Sequence, residues 1–154
     1  MLTPPTKAPT FTLTNDADQP VSLTDFAGKR VLLFFFPKAG TSGCTTQACG
    51  FRDAFPKIEE AGAVVIGISP DAPKALAKWR AKEHLPYVLL SDPDHKVADS
   101  YGAWGERSMY GKKFMGIIRS HFVIDGQGNL EASAVKVSPK DSIEKGVASL
   151  LATS

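Results

Sequence analysis

Cysteine and histidine are scarce in this sequence, and their scarcity excludes several kinds of protein. Two cysteines, Cys44 and Cys49, occur among 154 residues. Two cysteines are too few for a disulfide-rich scaffold, and a core of this size does not need one. The three histidines lie far apart, at His84, His95 and His121, and no CxxC or HxxxH pair provides metal-ligand spacing. We therefore expect no metal site.

A strong charge of one sign and a long apolar run are also absent. Lysine and arginine total 18 and aspartate and glutamate total 16, so the net charge is +2, too small to attract nucleic acid or an anionic membrane. The longest apolar run, residues 31–36, is far shorter than the ~20 residues of a membrane-spanning helix. No basic segment followed by an apolar stretch opens the chain, so we expect no secretory signal and a cytoplasmic location.

Apolar runs and helical spacings alternate along the chain, as in an α/β domain. Residues 31–36 and 63–69 have the length and composition of strands buried on both faces, and residues 45–60 between them read as a helix. Further strands are predicted over residues 10–14, 20–23, 87–92, 116–125 and 130–135. Further helices are predicted over 72–84, with Asp71 as its N-cap, and over 94–101. A last helix is predicted to begin at Ser138-Pro139. We expect residues 1–154 to form a single domain, with a mixed sheet flanked by helices.

Cys44 follows the first buried strand and begins the first predicted helix. Open α/β sheets place their chemistry at such strand ends, and the N–H groups of a helix N-terminus favour a thiolate. A helix end contributes about 0.3–1 kcal/mol, at most ~2, whereas lowering a thiol pKa from about 8.5 to about 6 requires ~3.4 kcal/mol. A reactive Cys44 therefore needs a cation, and Arg119 is the candidate. The alternatives are a buried, unreactive Cys44 and an Arg119 that is only a surface charge at a strand end.

The spacing of the two cysteines predicts a conformational change if they form a disulfide. On an ideal helix their Cα atoms lie roughly 8.7 Å apart, beyond the ~4.4–6.8 Å that a disulfide spans. The first turns of the helix would then have to unwind. Gly50 and Pro56 favour unwinding, since glycine lowers helix stability by roughly 1 kcal/mol and proline interrupts a helix. Alternatively, Gly50 allows close packing and Pro56 only kinks a surface helix.

Four segments carry a resemblance to a known family. PKAGTSGC, residues 37–44, is similar to the motif P-x-x-x-T-x-x-C of the peroxiredoxins, in which the cysteine is the peroxidatic nucleophile. FFFPKAGTSGCTTQACGFRD, residues 34–53, resembles the peroxiredoxin Q subfamily, also called bacterioferritin comigratory protein. Residues 109–125 resemble that subfamily's second signature, and residues 8–29 resemble its N-terminal hairpin. The resemblance implies a thioredoxin-like α/β fold with an N-terminal β-hairpin extension, and no cofactor.

The resemblance also implies a role for each matching residue. Cys44 matches the peroxidatic cysteine, and Cys49 matches the resolving cysteine of the subtype with four intervening residues. Thr41 matches the threonine whose hydroxyl binds the peroxide, and Pro37 matches the proline that shields the site. Arg119 matches the arginine that stabilises the thiolate and orients the substrate. Such fixed donors stabilise the charge that moves from sulfur to the leaving oxygen.

The implied function is that of an atypical two-cysteine peroxidase in antioxidant defence and redox homeostasis. It would reduce hydrogen peroxide and alkyl hydroperoxides through a Cys44 sulfenic acid and a Cys44–Cys49 disulfide. Thioredoxin is the implied reductant, with glutaredoxin second, and we expect a monomer. One alternative is a thioredoxin-like thiol–disulfide oxidoreductase, although Thr41 and the absence of CxxC argue against it. Another is a noncatalytic redox sensor or chaperone.

Three positions depart from the usual pattern of the subfamily. Ser42 stands where proline is usual, which predicts a looser loop before Cys44. Gln47 replaces a usual glutamate and so removes a negative charge. His121 stands where threonine is common, and the period-2 alternation of a strand places it on the same face as Arg119. His121 therefore either lies near the site or is a packed structural histidine.

Overall fold

The computed structural model describes residue 4 and residues 6–151. The strands are β1 (Thr6–Lys7), β2 (Thr12–Asn15), β3 (Pro20–Ser22), β4 (Arg30–Phe35), β5 (Ala63–Ser69), β6 (Val88–Ser91), β7 (Trp104–Met109), β8 (Lys112–Ile117), β9 (Ser120–Ile124) and β10 (Asn129–Val135). The helices are α1 (Ser42–Glu60), α2 (Pro73–Glu83), α3 (Lys96–Ser100) and α4 (Pro139–Leu151), and a 3-10 turn covers Leu23–Phe26.

Eight of these strands form one mixed sheet in the order β1-β10-β9-β4-β5-β6-β2-β3. The central strands β4, β5 and β6 are parallel, as the strand–helix–strand pattern predicts. The flanking pairs are antiparallel, including the hairpin of β2 and β3 at one edge. The mixed sheet and the N-terminal hairpin are confirmed.

The core lies on both faces of β4, because residues 31–36 are all buried. Leu32 and Phe34 pack with side chains from α1, α2 and α4. Leu33 and Phe35 face the other way and pack with α3 and the N-terminal segment. Burial of such a side chain stabilises the fold by about 1.5–3 kcal/mol. The anchored strand fixes the point from which the chain enters α1.

The prediction of one strand over residues 116–125 is wrong, because the chain forms β8 and β9 with a break at Ile118 and Arg119. The Ile118 N–H donates to the Ala103 C=O at 2.7 Å, and the Ser120 hydroxyl donates to the Ile118 C=O at 2.8 Å. These bonds turn the backbone away from the sheet. β8 pairs with β7 instead, in a hairpin that sequence analysis missed, since residues 112–115 are exposed and show no apolar alternation.

Helix α1 runs through Pro56, so the predicted interruption there is wrong. Proline removes one N–H from the ladder, but Phe51 and Ile58 on either side are fully buried and hold both turns on the core. Gly50 packs closely against α4, because a Cβ at this position would overlap with the side chain of Ile143. The close-packing alternative for Gly50 is therefore supported. Within the described residues, no helix combines the length and the apolar character that crossing a membrane requires.

Candidate active site

Cys44 is the third residue of α1, and its side chain is buried beneath the helix N-terminus. Only 1% of the residue is exposed, and it packs in the helix-covered core. The first hydrogen bond of the helix runs from the Thr45 N–H to the Thr41 C=O at 2.9 Å. The Cys44 N–H therefore precedes the helical ladder, in the turn where N–H groups and the helix dipole favour a negative charge.

The guanidinium of Arg119 lies against the sulfur of Cys44. Its Nη2 lies 3.4 Å from the Cys44 Sγ. Arg119 stands at the break between β8 and β9, where its C=O accepts a hydrogen bond from the Val137 N–H at 3.0 Å. Gly43 leaves room for the guanidinium, since a Cβ there would lie 3.1 Å from Nη2. The strand break thus aims a cation at the buried sulfur, 75 residues away in sequence.

A row of buried hydrogen bonds holds the other side of the guanidinium. Arg119 Nη1 donates to Gln47 Oε1 at 2.7 Å, and Gln47 Nε2 donates to Ser142 Oγ at 2.9 Å. Ser142 Oγ in turn lies 2.9 Å from His121 Nδ1. Burial, with the positive charge of Lys145 as a second cause, lowers the pKa of His121 to about 4, so the ring is neutral at pH 7. His121 is both a packed histidine and a neighbour of the site.

Cys49 lies on the same helix in a contrasting environment. It is half-buried, and its thiol donates to Glu83 Oε1 at 3.7 Å. Burial and the Glu83 carboxylate raise the pKa of the Cys49 thiol, although Arg52 acts in the opposite direction. Arg52 Nη1 also donates to the Glu83 C=O at 2.7 Å, which fixes the end of α2 beside α1. Cys44 and Cys49 are both free thiols.

The loop between β4 and α1 carries the remaining predicted site residues. Pro37 is half-buried at its start, and Thr41 is the N-cap residue of α1. The Thr41 hydroxyl donates to the Lys38 C=O at 2.9 Å. Asp71, predicted to cap α2, instead accepts a hydrogen bond from the Ala39 N–H at 2.7 Å. Its carboxylate therefore fixes the loop that leads into the helix.

Comparison with known proteins identifies the family. The AhpC/TSA family matches residues 4–133. This chain belongs to the AhpC/TSA family. It is similar to a putative peroxiredoxin bcp of Haemophilus influenzae, with 50% identity over 135 residues that cover 88% of this chain and 87% of the relative. The chain is therefore a peroxiredoxin, and its relatives carry the name bcp.

Solved structures of peroxiredoxins give the same result. A mutant of Xanthomonas campestris peroxiredoxin Q superposes with a TM-score of 0.88 at 30% identity, over 94% of this chain and 92% of that one. A structure of the bacterioferritin comigratory protein of the same organism, described for its alkyl peroxide reduction activity, superposes with a TM-score of 0.86 at 30% identity, over 92% and 90% of the two chains. The thioredoxin-like fold is confirmed.

An open cleft lies beside Arg119 in this peroxiredoxin. Its volume is about 680 Å³. Besides Arg119, it is lined by Glu106, Arg107, Ser108, Ile118, Lys136, Val137 and Ser138. Its walls combine charged, hydroxyl and apolar side chains, and Arg119 is the member that also contacts Cys44.

Sequence analysis missed several residues that shape the peroxiredoxin site. Gly43 leaves room for the Arg119 guanidinium, and Asp71 accepts a hydrogen bond from the backbone of the loop before α1. The periodicity of the sequence does not indicate either effect. Ser142 is separated from Gln47 by 95 residues, and only the packing of α4 on α1 brings the two together. Glu83 falls within the predicted helix over 72–84, and its contact with Cys49 depends on the position of α2.

Proposed function

We propose that this peroxiredoxin is a two-cysteine peroxidase in which Cys44 attacks the peroxide and Cys49 then forms a disulfide with it. The observation that carries the proposal is the 3.4 Å contact between Arg119 Nη2 and Cys44 Sγ at the N-terminus of α1. A guanidinium and a helix dipole both stabilise the thiolate, which is the nucleophilic form of cysteine. Cys49 lies further along the helix and contacts the carboxylate of Glu83, and its pKa is raised even though Arg52 acts in the opposite direction.

In the first step, the Cys44 thiolate attacks one peroxide oxygen while the O–O bond breaks. The sulfur becomes a sulfenic acid, and the other oxygen leaves as hydroxide or alkoxide and takes up a proton to give water or an alcohol. Arg119 donates hydrogen bonds to the reacting oxygens, Thr41 binds the peroxide through its hydroxyl, and Pro37 shields the site. These contacts strengthen as charge moves onto the leaving oxygen, so they lower the barrier.

In the second step, the thiol of Cys49 attacks the sulfenic acid of Cys44. A sulfur–sulfur bond forms, and the sulfenic oxygen leaves as water. Because both cysteines belong to α1, roughly 8.7 Å apart on an ideal helix, the segment between them unwinds before the bond can form. Unwinding also separates Cys49 from Glu83, which removes one of the contacts that raise the pKa of its thiol.

The cleft beside Arg119 supports alkyl hydroperoxides as substrates in addition to hydrogen peroxide. Ile118 and Val137 contribute apolar surface to its wall, and its volume of about 680 Å³ accommodates an alkyl group. The similar bacterioferritin comigratory protein of Xanthomonas campestris is described for its alkyl peroxide reduction activity. The overall similarity of the two chains therefore favours the broader substrate range.

Thioredoxin is the reductant that we propose, with glutaredoxin as the alternative. Unwinding of α1 would bring the disulfide to the surface, since Cys49 is already half-buried rather than buried. A second thiol protein can then attack it. The resemblance to peroxiredoxin Q supports a monomeric enzyme of cytoplasmic antioxidant defence.

A steady-state peroxidase assay tests the proposed function. With thioredoxin, thioredoxin reductase and NADPH, the wild-type chain should consume hydrogen peroxide and an alkyl hydroperoxide. Cys44→Ser should lose all of this activity, because an ordinary hydroxyl cannot replace the thiolate. A parallel assay with glutaredoxin and glutathione ranks the two reductants.

The same assay separates the alternative functions. A wild-type chain that reduces a protein disulfide but leaves peroxide untouched would be a thiol–disulfide oxidoreductase. A chain that forms the Cys44–Cys49 disulfide with an added oxidant but turns over neither substrate would be a redox sensor. Either result contradicts the proposed function.

A further inference from the structure

The hydrogen bonds from Arg119 through Gln47 to Ser142 and His121 join three separate parts of the chain. Gln47 belongs to α1, Ser142 to α4 and His121 to β9, while Arg119 precedes β9. Gln47 and Ser142 are fully buried, and His121 is 2% exposed. Because these three side chains are buried, each of their donors needs the acceptor that the fold provides.

The direction of the hydrogen bonds determines which way the amide of Gln47 points. Its oxygen faces the guanidinium of Arg119, and its NH₂ group faces Ser142. The reversed amide would direct two N–H donors at a cation that has only donors to offer. Gln47 therefore supports Arg119 in only one of its two orientations.

The hydroxyl of Ser142 selects that orientation. It has one proton, and its neighbours are Gln47 Nε2 and His121 Nδ1. Nδ1 accepts the hydroxyl proton in the tautomer of neutral His121 that carries its own proton on Nε2, and this is the tautomer that the inference assigns. In it the Ser142 oxygen presents a lone pair to Gln47. A lone pair requires a donor opposite it, which is the NH₂ group.

We propose that Ser142 and His121 are positioning residues of the active site, which orient the Gln47 amide so that it holds the Arg119 guanidinium against Cys44. Both act through other side chains and neither touches the sulfur. The inference rests on the proposed function, because it concerns the geometry of the same nucleophile.

The packing around these two residues makes them suitable for this role. In the sheet, His121 lies between Phe34 of β4 and Ala134 of β10, and all three share the face that carries α1 and α4. On α4, Gly146 approaches Phe51 so closely that a Cβ would lie 3.1 Å from its ring. Neither the histidine nor the helix can shift without disturbing the core.

A matched pair of substitutions at His121 tests the proposal. His121→Asn places an acceptor oxygen near the position of Nδ1, whereas His121→Leu has the same branched shape and no acceptor. In single-turnover oxidation by hydrogen peroxide, His121→Leu should react about tenfold more slowly than wild type, while His121→Asn stays within about twofold. The thiolate absorbance of His121→Leu should also appear at higher pH.

The fluorescence of Trp79 provides a convenient signal for that reaction. Its Nε1 donates to Thr45 Oγ1 at 3.3 Å, one residue from the nucleophile. The thermal unfolding midpoint of each variant serves as the structural control. Equal oxidation rates in His121→Leu and His121→Asn would overturn the proposal, whether or not both are less stable than wild type.

A second pair covers the case in which neither His121 variant folds. Ser142→Ala removes the hydroxyl, and Ser149→Ala makes the same change two turns along α4. We expect slower oxidation only in Ser142→Ala, and equal rates in the two variants would overturn the proposal. The proposed function is judged separately, since a wild-type chain that fails to react with peroxide would contradict it regardless of these variants.

Discussion

Two cysteines on one helix differ in the groups that touch their sulfur atoms. Cys44 Sγ lies 3.4 Å from the Arg119 guanidinium, whereas Cys49 Sγ lies 3.7 Å from the Glu83 carboxylate. Burial first, and the Glu83 carboxylate after it, raise the pKa of the Cys49 thiol, while the Arg52 cation acts in the opposite direction. In the proposed cycle, this contrast favours attack by Cys44 and keeps Cys49 protonated while α1 is folded.

Removal of the Arg119 cation should slow oxidation of Cys44 more than it affects the fold. We expect Arg119→Met to shift the appearance of thiolate absorbance to higher pH and to slow single-turnover oxidation by about a hundredfold. The long apolar side chain of methionine retains most of the packing volume. Stopped-flow oxidation and an absorbance titration measure the two effects.

Arg107→Met is the matched control for this substitution. Arg107 lines the same cleft and lies over the ring of Phe114, 5.7 Å from its centroid. The Arg107→Met substitution therefore removes one positive charge from the cleft without removing a hydrogen-bond donor to the sulfur. Equal rates in the two variants would mean that the general charge of the cleft, and not the Arg119 contact, stabilises the thiolate.

The sequence alone predicted Cys44 and its need for a nearby cation, which is one part of this site. The position of Cys44 after a buried strand indicated a helix N-terminus, and the weakness of a helix dipole indicated the need for a cation. Neither Asp71 nor Ser142 could be found in this way. Asp71 binds the backbone of Ala39, 32 residues away, and Ser142 binds Gln47, 95 residues away. Only the tertiary fold determines such pairs.

Helix α1 is held in place on two sides along the segment that must unwind. The contacts are those of Trp79 with Thr45, Tyr87 with Ala48, Glu83 with Cys49 and Arg52, and Ser142 with Gln47. A hydrogen bond of this kind contributes about 0.5–1.5 kcal/mol. Disulfide formation must therefore offset several kcal/mol of lost contacts, which makes the folded helix the stable state of the dithiol form.

The close packing of Gly50 changes what a substitution there does. In the native chain, Gly50→Ala would force α1 and α4 apart, because the new methyl group overlaps with Ile143. In an Ile143→Ala background that obstacle is removed. There we expect Gly50→Ala to stabilise the helix by up to about 1 kcal/mol.

A stiffer helix should delay the disulfide and lengthen the life of the sulfenic acid. We expect the double variant to form the disulfide more slowly than Ile143→Ala alone and to overoxidise at lower peroxide concentration. Amide hydrogen exchange of residues 45–50, measured in the dithiol and disulfide forms, reports the unwinding directly. Equal protection in the two forms would contradict the unwinding step.

The elements that sequence analysis predicted correctly are those with a strong apolar pattern. β4 and β5 are buried on both faces and α1 has a continuous apolar stripe, so each was evident. The exposed hairpin of β7 and β8 has no such pattern. Its turn lies at Tyr110 and Gly111, both with positive φ, and Gly111 is the residue there that is typical of a turn.

At the scale of the whole molecule, the active site is the meeting point of distant parts of the chain. The loop after β4, the first turns of α1, the β8–β9 break and α4 each contribute a group. Alternation of strands and helices predicts such a sheet, because each element must bury one face. It does not predict the order of strands, and therefore could not show that α4 lies against α1.

The proposed cycle would couple the redox state of the cysteines to the fold. Unwinding of α1 would separate Gln47 from Ser142 and deprive Arg119 of a partner, so the site geometry would be lost while the disulfide lasts. Reduction would restore the helix and the site together. The proposed cycle would therefore alternate between one conformation for peroxide attack and another for reduction.

The most direct test of this account is intact-mass analysis of the two single cysteine variants after one equivalent of hydrogen peroxide. The account predicts that Cys49→Ser gains one oxygen atom at Cys44 and stops there, whereas Cys44→Ser remains unchanged. The opposite pattern, with Cys44→Ser oxidised and Cys49→Ser inert, would contradict the assignment of Cys44 as the nucleophile.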